Sequence, residues 1–210
     1  MGEDAAIPRL VLIAGVTGSG KTTTAKAVAH ELGLARIAST DTIREVMRLA
    51  SSPGADPALH RSSFAHGEVG EAVNDWHDAA RAVEPGIEAI LARARGHGVD
   101  IVLEGVHVIP ANRMLAAWRE AGGAAVGIVV KIEDEETHRT RLLERESLTW
   151  RGSDRYMHAF ERIRSISRNI EERGAGAGWK VIDTHLHKAP TEMVKQWLDE
   201  AWYAAKRRLN

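Results

Sequence analysis

The clearest hydrophobic pattern in the chain is a continuous apolar run, Leu10 to Ala14, closed by Gly15. A short run without polar alternation predicts a strand buried on both faces, as in a parallel sheet. Lys21 to Leu32 then reads as a helix stopped by Gly33. Leu34 to Ser39 predicts a second short strand, and Thr42 to Ala50 a helix with Thr40 or Asp41 available as its N-cap. Ser51 to Pro57 is rich in Ser, Pro and Gly and reads as a loop. From about Ser63 to Arg95 the pattern is mostly helical, with an interruption expected at Pro85-Gly86. Val99 to Leu103 predicts a third strand, Ala111 to Ala121 a helix, and Ala124 to Ile132 a fourth strand. Thr137 to Glu146 is helical and strongly charged, without an apolar stripe to match. After a break near Gly152 come a helix over Tyr156 to Arg173, a glycine-alanine turn over Gly174 to Gly178, and a fifth strand over Lys180 to Asp183. In the last helix, about Thr191 to Arg208, residues Met193, Val194, Trp197, Leu198, Ala201, Trp202 and Ala205 recur at three-and-four spacing, which predicts core packing.

Strands alternating with helices predict an α/β fold with a parallel sheet and right-handed crossovers. No linker divides residues 1–210, so a single domain is expected. No apolar run approaches the length of a membrane span. The start, Met1-Gly2-Glu3-Asp4, is acidic and lacks an apolar signal core. The chain has no cysteine, which excludes disulfides and thiolate metal sites, and a cytoplasmic location is expected. A formal net charge of -1 argues against general nucleic-acid binding. Arginine supplies 21 of the basic residues and lysine 7, a bias that suits an anionic substrate, although solvated helix faces account for most of it. Six tryptophans leave room for a homodimer interface, and core packing explains them as easily.

The strongest chemical signal is Gly15-Val16-Thr17-Gly18-Ser19-Gly20-Lys21-Thr22, which matches G-x-x-x-x-G-K-[ST] between an apolar strand and a helix. Glycines let backbone N–H groups turn inward onto phosphate oxygens, and the helix beginning near Lys21 adds its positive dipole end. ATP is therefore expected on Gly15, Thr17, Gly18, Ser19, Gly20, Lys21, Thr22 and Thr23. Lys21 would reach the β- and γ-phosphates and Thr22 a magnesium ion. The motif predicts nucleotide binding and leaves the reaction open.

After the second strand comes Ser39-Thr40-Asp41-Thr42-Ile43-Arg44-Glu45-Val46-Met47-Arg48. Carboxyl ends of parallel strands line the active crevice, which places Asp41 where it can face a γ-phosphate. There a carboxylate accepts a proton from an attacking hydroxyl or holds a magnesium-bound water. Arg44 and Arg48 are four apart and share a helix face, suited to an acceptor's phosphate or carboxylate. Helix capping and solvation are the plainer uses of all three residues. The third strand ends Leu103-Glu104-Gly105-Val106-His107. Glu104 stands where a magnesium-organising carboxylate is expected, with acceptor contact an equal alternative, and His107 is a candidate for substrate contact. Kinases exclude water by closing a cover that brings in positive charge. The segment about 137–156 is the candidate lid, carrying His138, Arg139, Arg141, Arg145, Arg151 and Arg155, with Glu144 and Glu146 pairing some of the charge. Arg141 and Arg145 share a face and are expected at the phosphates. Arg162 and Arg164 lie on opposite sides of their helix, so at most one faces the cleft. Thr184 and His185, after the fifth strand, are placed by fold geometry near the adenine.

The stretch from Ser39 to Arg48, the stretch Glu104-Gly105-Val106-His107-Val108-Ile109-Pro110, and Arg155-Tyr156 continuing to Phe160 and Ile163-Arg164 resemble 2-phosphoglycerate kinase and its bacterial relatives. The likeness runs in order through most of the chain. It implies a nucleoside-monophosphate-kinase-like, single-domain P-loop fold with strand order 2-3-1-4-5, an acceptor-binding helical insertion over about 42–97, and the lid. It also implies ATP, Mg2+ and phosphorylation of the 3-hydroxyl of 2-phosphoglycerate to 2,3-bisphosphoglycerate. By position, Asp41 and Arg44 match the acid and arginine that related kinases place at the acceptor. Lys21, Asp41 and Arg44 are thus the expected catalytic set. Arg48, Glu104, His107 and Arg155 are expected to join Asp41 and Arg44 around the acceptor, and Asp41 and Glu104 to join Thr22 at the metal. Some members carry an extra N-terminal module, which a chain whose phosphate loop begins at Gly15 is expected to lack.

Two rival readings remain open on the sequence. One keeps the kinase and changes the acceptor to a sugar acid, a natural-product hydroxyl or a nucleotide-linked sugar. The other is a nucleotide-dependent switch or binding module, disfavoured because no N-K-x-D guanine signature occurs. A polynucleotide 5′-kinase shares the Asp-x-x-Arg arrangement, but near-zero charge and 5% aromatic content do not suit a strand-binding groove.

Overall fold

The computed structural model describes residues 7–147 and 154–209. Arg151 and the break near Gly152 lie outside the described residues, as does the start of the chain. The elements run β1 (Arg9–Ala14), α1 (Lys21–Glu31), β2 (Ile37–Ser39), α2 (Thr40–Leu49), α3 (Pro57–His60), α4 (Ala72–Gly96) and β3 (Ile101–Gly105). They continue with α5 (Asn112–Glu120), β4 (Ala124–Lys131), α6 (Glu135–Ser147), α7 (Asp154–His158), α8 (Phe160–Gly176), β5 (Lys180–Asp183) and α9 (Pro190–Leu209). The five strands form one parallel sheet in the order β2-β3-β1-β4-β5, as the resemblance implied.

Side chains alternate across the strands and build two cores. Leu10, Leu12, Ile101, Leu103 and Val129 face α4, α5 and α8, where Trp76, Val83, Ile87, Leu115, Ile163 and Ile166 are buried. Val11, Ile13, Val102, Ile128 and Ile182 face α1 and α9, covered by Val28, Val194 and Leu198. The apolar spacing of the last helix is accordingly core packing, with Val194, Leu198 and Ala205 buried.

Several element boundaries differ from the sequence reading. Strand β2 is three residues long, because Leu34 is spent closing α1: its N–H donates to the Ala29 carbonyl at 2.8 Å. Strand β3 starts at Ile101 rather than Val99, whose N–H donates to Ala94 and closes α4. Helix α2 begins at Thr40, so Asp41 lies in its first turn and is not the cap; Ser39 holds that position. No interruption occurs at Pro85: α4 runs unbroken through it. Proline costs a helix interior about 3 kcal/mol. Trp76, Val83, Ile87 and Leu91, all buried on one stripe of α4, return about 1.5–3 kcal/mol each and outweigh that loss. The expected helical start from Ser63 is not helical; 61–71 form an irregular segment held by arginine side chains, described below. The helix expected over Tyr156–Arg173 is two, α7 and α8, parted at Ala159. Helix α8 continues into the expected glycine turn, since a Cβ at Gly174 would meet Val129 Cγ2 at 2.5 Å and glycine lets the helix pass close over β4. Among the described residues, no helix is long and apolar enough to cross a membrane.

The tips of β1, β3 and β2 coincide. Ile13 pairs with Glu104, and Glu104 with Ser39, so the phosphate loop, the Glu104 carboxylate and the start of α2 leave the sheet at one edge. The fit there is close: a Cβ on Gly105 would lie 1.7 Å from Thr40 Oγ1. Gly105→Ala is expected to force the first turn of α2 outward at a cost of about 1–3 kcal/mol. Denaturant unfolding checks the stability. Unchanged stability would show that α2 adjusts freely.

Candidate active site

Gly18 and Gly20 adopt φ of 78° and 92°, a region that side chains disfavour, and the loop between them turns on the Ser19 hydroxyl, which donates to Val16 O at 2.9 Å. Lys21 is 6% exposed, and among the described residues its Nζ finds only Val16 O at 3.4 Å. Burial holds the Lys21 pKa below its ordinary value, while Glu104 and Asp41 pull it up and Arg145 pushes it down. A buried ammonium with so little compensation is suited to an anion such as a phosphate.

Thr22 Oγ1 donates to Glu104 Oε1 at 3.0 Å, while Glu104 Oε2 is buried with no hydrogen-bond partner among the described residues. A hydroxyl and an unsatisfied carboxylate oxygen at the mouth of the loop fit one magnesium ion, which takes one or two protein oxygens and completes its shell with water and substrate phosphates. No cluster of three or more His, Asp or Glu among the described residues forms an all-protein metal cage.

Across from the loop, Asp41 is exposed on the first turn of α2. Its Oδ1 is 3.6 Å from His107 Nδ1, which lies 3.0 Å from Thr40 Oγ1. His107 does not reach a solvent-borne acceptor as the sequence suggested: it is 1% exposed, packed behind Thr40 and Asp41. Its pKa is pushed down to about 4, first by burial, with Arg44 and Lys21 adding to this against the pull of Asp41. The ring is thus neutral at pH 7, and the 3.6 Å approach is a polar contact rather than an ion pair.

Arg44 donates to Arg61 O at 2.7 Å and to Glu45 Oε1 at 2.8 Å. Arg48 pairs with the same Glu45 carboxylate at 2.8 Å, so Glu45 sits between the two guanidinium groups expected to grip an acceptor. Arg155 reaches Ser62 Oγ and lies over the Phe64 ring. The surrounding segment is tied down by Arg162, which donates to the carbonyls of Phe64, Ala65 and Gly70 and to Asp75 Oδ2 at 2.8 Å. Arg61 donates to Asp75 O at 2.9 Å. Arg162 and Arg164 do part to opposite sides, but both hold backbone: Arg164 donates to Ile132 O and Glu133 O at the end of β4.

On α6, Arg141 donates to Thr184 Oγ1 at 2.6 Å, and Arg145 to Thr17 Oγ1 at 3.2 Å. Thr22, Thr23, Arg141, Arg145, Thr184 and His185 line a cleft of about 850 Å³ beside Lys21, large enough for a nucleotide. Helix α6 does have a buried stripe. His138 and Leu142 are both buried, and together with Arg141 and Arg145 they form one i, i+3, i+4, i+7 face toward the loop. The sequence reading missed it because three of those four side chains are polar. Arg139 instead stacks on Phe160, 3.6 Å from its ring centre.

The AAA domain family model matches residues 11–161, from the phosphate loop's strand into α8. The chain belongs to the AAA domain family. Among curated proteins, it is 33% identical over 187 residues to a protein of Methanothermobacter thermautotrophicus named 2-phosphoglycerate kinase, covering 84% of this chain and 60% of that protein. It is also 33% identical to the protein of that name from Methanopyrus kandleri, covering 97% of this chain and 64% of that protein. The chain thus spans about three-fifths of the length of these relatives. Among solved structures, a gluconokinase from Sinorhizobium meliloti shares the fold at a TM-score of 0.51 and 15% identity, covering 97% of each chain.

The Asp75 carboxylate, held by Arg162 behind the segment 61–71, gives a stability test. Burial alone would raise its pKa, but the N–H groups of Gly67 and Gly70 and the Arg162 guanidinium hold it below the usual carboxylate value. A depressed folded pKa contributes stability above the unfolded value, near pH 4, and loses it as pH falls through the folded one. Asp75→Asn is expected to cost about 3 kcal/mol at pH 7, because it leaves Arg162 buried without its counter-charge. The gap from wild type should narrow below about pH 4 in urea titrations run across pH; a gap independent of pH would rule out the ionised carboxylate as its source.

Proposed function

We propose that the chain is a small-molecule kinase that transfers the γ-phosphoryl group of ATP to a hydroxyl of an anionic acceptor, with 2-phosphoglycerate as that acceptor and 2,3-bisphosphoglycerate as the product. The observation that carries the reading is that Lys21 and Asp41 follow strands that end level at one sheet edge, with the Asp41 carboxylate near enough to pull the Lys21 pKa up. The name of the curated relatives supports the choice of acceptor.

In this reading the backbone of Gly15 to Thr22 cups the phosphates and Lys21 neutralises charge on the β- and γ-groups. Arg44, released from Glu45, holds the acceptor's phosphate or carboxylate, with Arg48 and Arg155 nearby. Asp41 accepts the proton of the attacking hydroxyl as the new O–P bond forms and the bond to the bridging β–γ oxygen breaks, and ADP departs. Thr22 and Glu104 would hold magnesium, which screens phosphate charge and orients the transferring group. Arg141 and Arg145 bring positive charge over the phosphates as α6 covers them. His107, neutral and buried, backs Asp41.

The test is ADP release with magnesium and ATP against a panel of phosphoglycerates, hydroxy acids, sugar acids and nucleic-acid 5′ ends. Turnover dependent on 2-phosphoglycerate is expected. Turnover only with another member would change the acceptor, and none with any would overturn the kinase reading. Asp41→Asn is expected to lower kcat roughly 10²–10⁴-fold with little change in ATP affinity. Equal losses in both would give Asp41 a structural or metal role instead.

A further inference from the structure

His138 has no place in the reaction just described, yet it is among the most completely buried polar side chains in the chain, at 0% exposure. It sits on α6 with its ring 5.5 Å from that of Phe160, and its Nε2 is 2.9 Å from the carbonyl oxygen of Thr17. A carbonyl only accepts, so Nε2 carries the hydrogen and donates it. Burial keeps the ring's pKa below its ordinary value, which leaves Nδ1 bare, buried and without a partner. The contact is close: a Cβ on Gly18 would meet the His138 ring at 3.0 Å and Leu142 Cδ2 at 2.8 Å.

A second tie holds the loop at Ser19, two residues after Thr17. Arg141 Nη1 donates to Thr184 Oγ1 at 2.6 Å, and the Thr184 hydroxyl passes its own hydrogen to Ser19 O at 2.9 Å. Alternate carbonyls of the phosphate loop, those of Thr17 and Ser19, are therefore each held from outside by side chains that α6 supplies or positions. In a trans peptide the C=O and the following N–H point in opposite directions. Fixing the Thr17 and Ser19 carbonyls outward fixes the Gly18 and Gly20 N–H groups inward. Among the described residues, neither of those two N–H groups has an acceptor. Both glycines sit at positive φ, where no side chain restrains the peptide planes, so outside ties have the most to do there.

We propose that His138 is a positioning residue for nucleotide binding: its hydrogen bond to Thr17 holds the Thr17–Gly18 peptide with its N–H aimed at the phosphates, and so couples nucleotide affinity to the seating of α6. This rests on the nucleotide half of the function proposed above and not on the identity of the acceptor. The ligand class is any polyphosphate tail that fills the loop.

The test uses the full chain, with His138→Met, which keeps apolar bulk but removes the donor, and His138→Gln, whose side-chain amide carries a donor near the position of Nε2. Isothermal titration with ADP and magnesium is expected to show about tenfold weaker binding for Met and restoration to within about threefold for Gln. The Gly18 amide resonance should shift in free His138→Met and stay near its wild-type position in His138→Gln. Equal ADP affinity in wild type and the Met variant would overturn the inference alone. So would a Met loss that Gln fails to restore in a folded protein, since packing would then explain it. If the Met variant does not fold, the Gln variant decides: loss of affinity with an intact melting transition overturns the proposal, and retained affinity with an unshifted Gly18 amide supports it. A wild-type chain that binds no ADP would overturn the nucleotide reading, and the inference with it.

Discussion

Ile13, Glu104 and Ser39 lie side by side on three parallel strands, and the hydrogen-bonded register that aligns them is the constraint on which the rest of the site depends. Because the strands end level, the loop after β1, the carboxylate at the end of β3 and the helix after β2 emerge at the same edge. One shift of register by a residue would turn Glu104 to the opposite face of the sheet and away from Thr22. The two cores on either side hold that register in place, since each strand's alternate side chains are committed to one face or the other. Gly105 shows how little slack remains, with Thr40 packed where a methyl group would stand.

Charge at this edge is arranged around deficits that a substrate would fill. Among the described residues, Lys21 is buried with one long contact to a carbonyl, Glu104 keeps one buried oxygen free of partners, and two loop N–H groups face no acceptor. Each is costly while unmet. A polyphosphate with magnesium would answer all three, which supports the phosphoryl transfer proposed for this site. Arginines not aimed at the cleft do a different job. Arg162 and Arg164 tie carbonyls of irregular backbone on the two flanks of α8, so that one helix fixes both the segment 61–71 and the end of β4.

Much of this was legible in the sequence. The apolar run before Gly15 and the G-x-x-x-x-G-K-T spacing led to the loop, and the two strand ends after it led to Asp41 and Glu104, because strand tips of a parallel sheet converge whatever lies between them. Other features were hidden for physical reasons. The helix through Pro85 depends on core packing that no local propensity reports. The segment 61–71 takes its shape from Arg162, about ninety residues later in the chain. The inward face of α6 is built from histidine and arginine around a single leucine, so it carries no apolar signature. His107 looked like a ligand contact only because burial cannot be read from a single side chain.

The central claim is that a nucleotide's terminal phosphate and an acceptor hydroxyl meet between Lys21 and Asp41. The most direct measurement is a crystal structure of the chain with ADP, magnesium, aluminium fluoride and 2-phosphoglycerate. The account predicts a planar fluoride between the ADP β-phosphate and the acceptor's 3-oxygen, that oxygen within hydrogen-bond reach of Asp41, and Arg44 turned from Glu45 onto the acceptor's anionic groups. Fluoride and acceptor bound apart, or an acceptor oxygen with Asp41 out of reach, would contradict it.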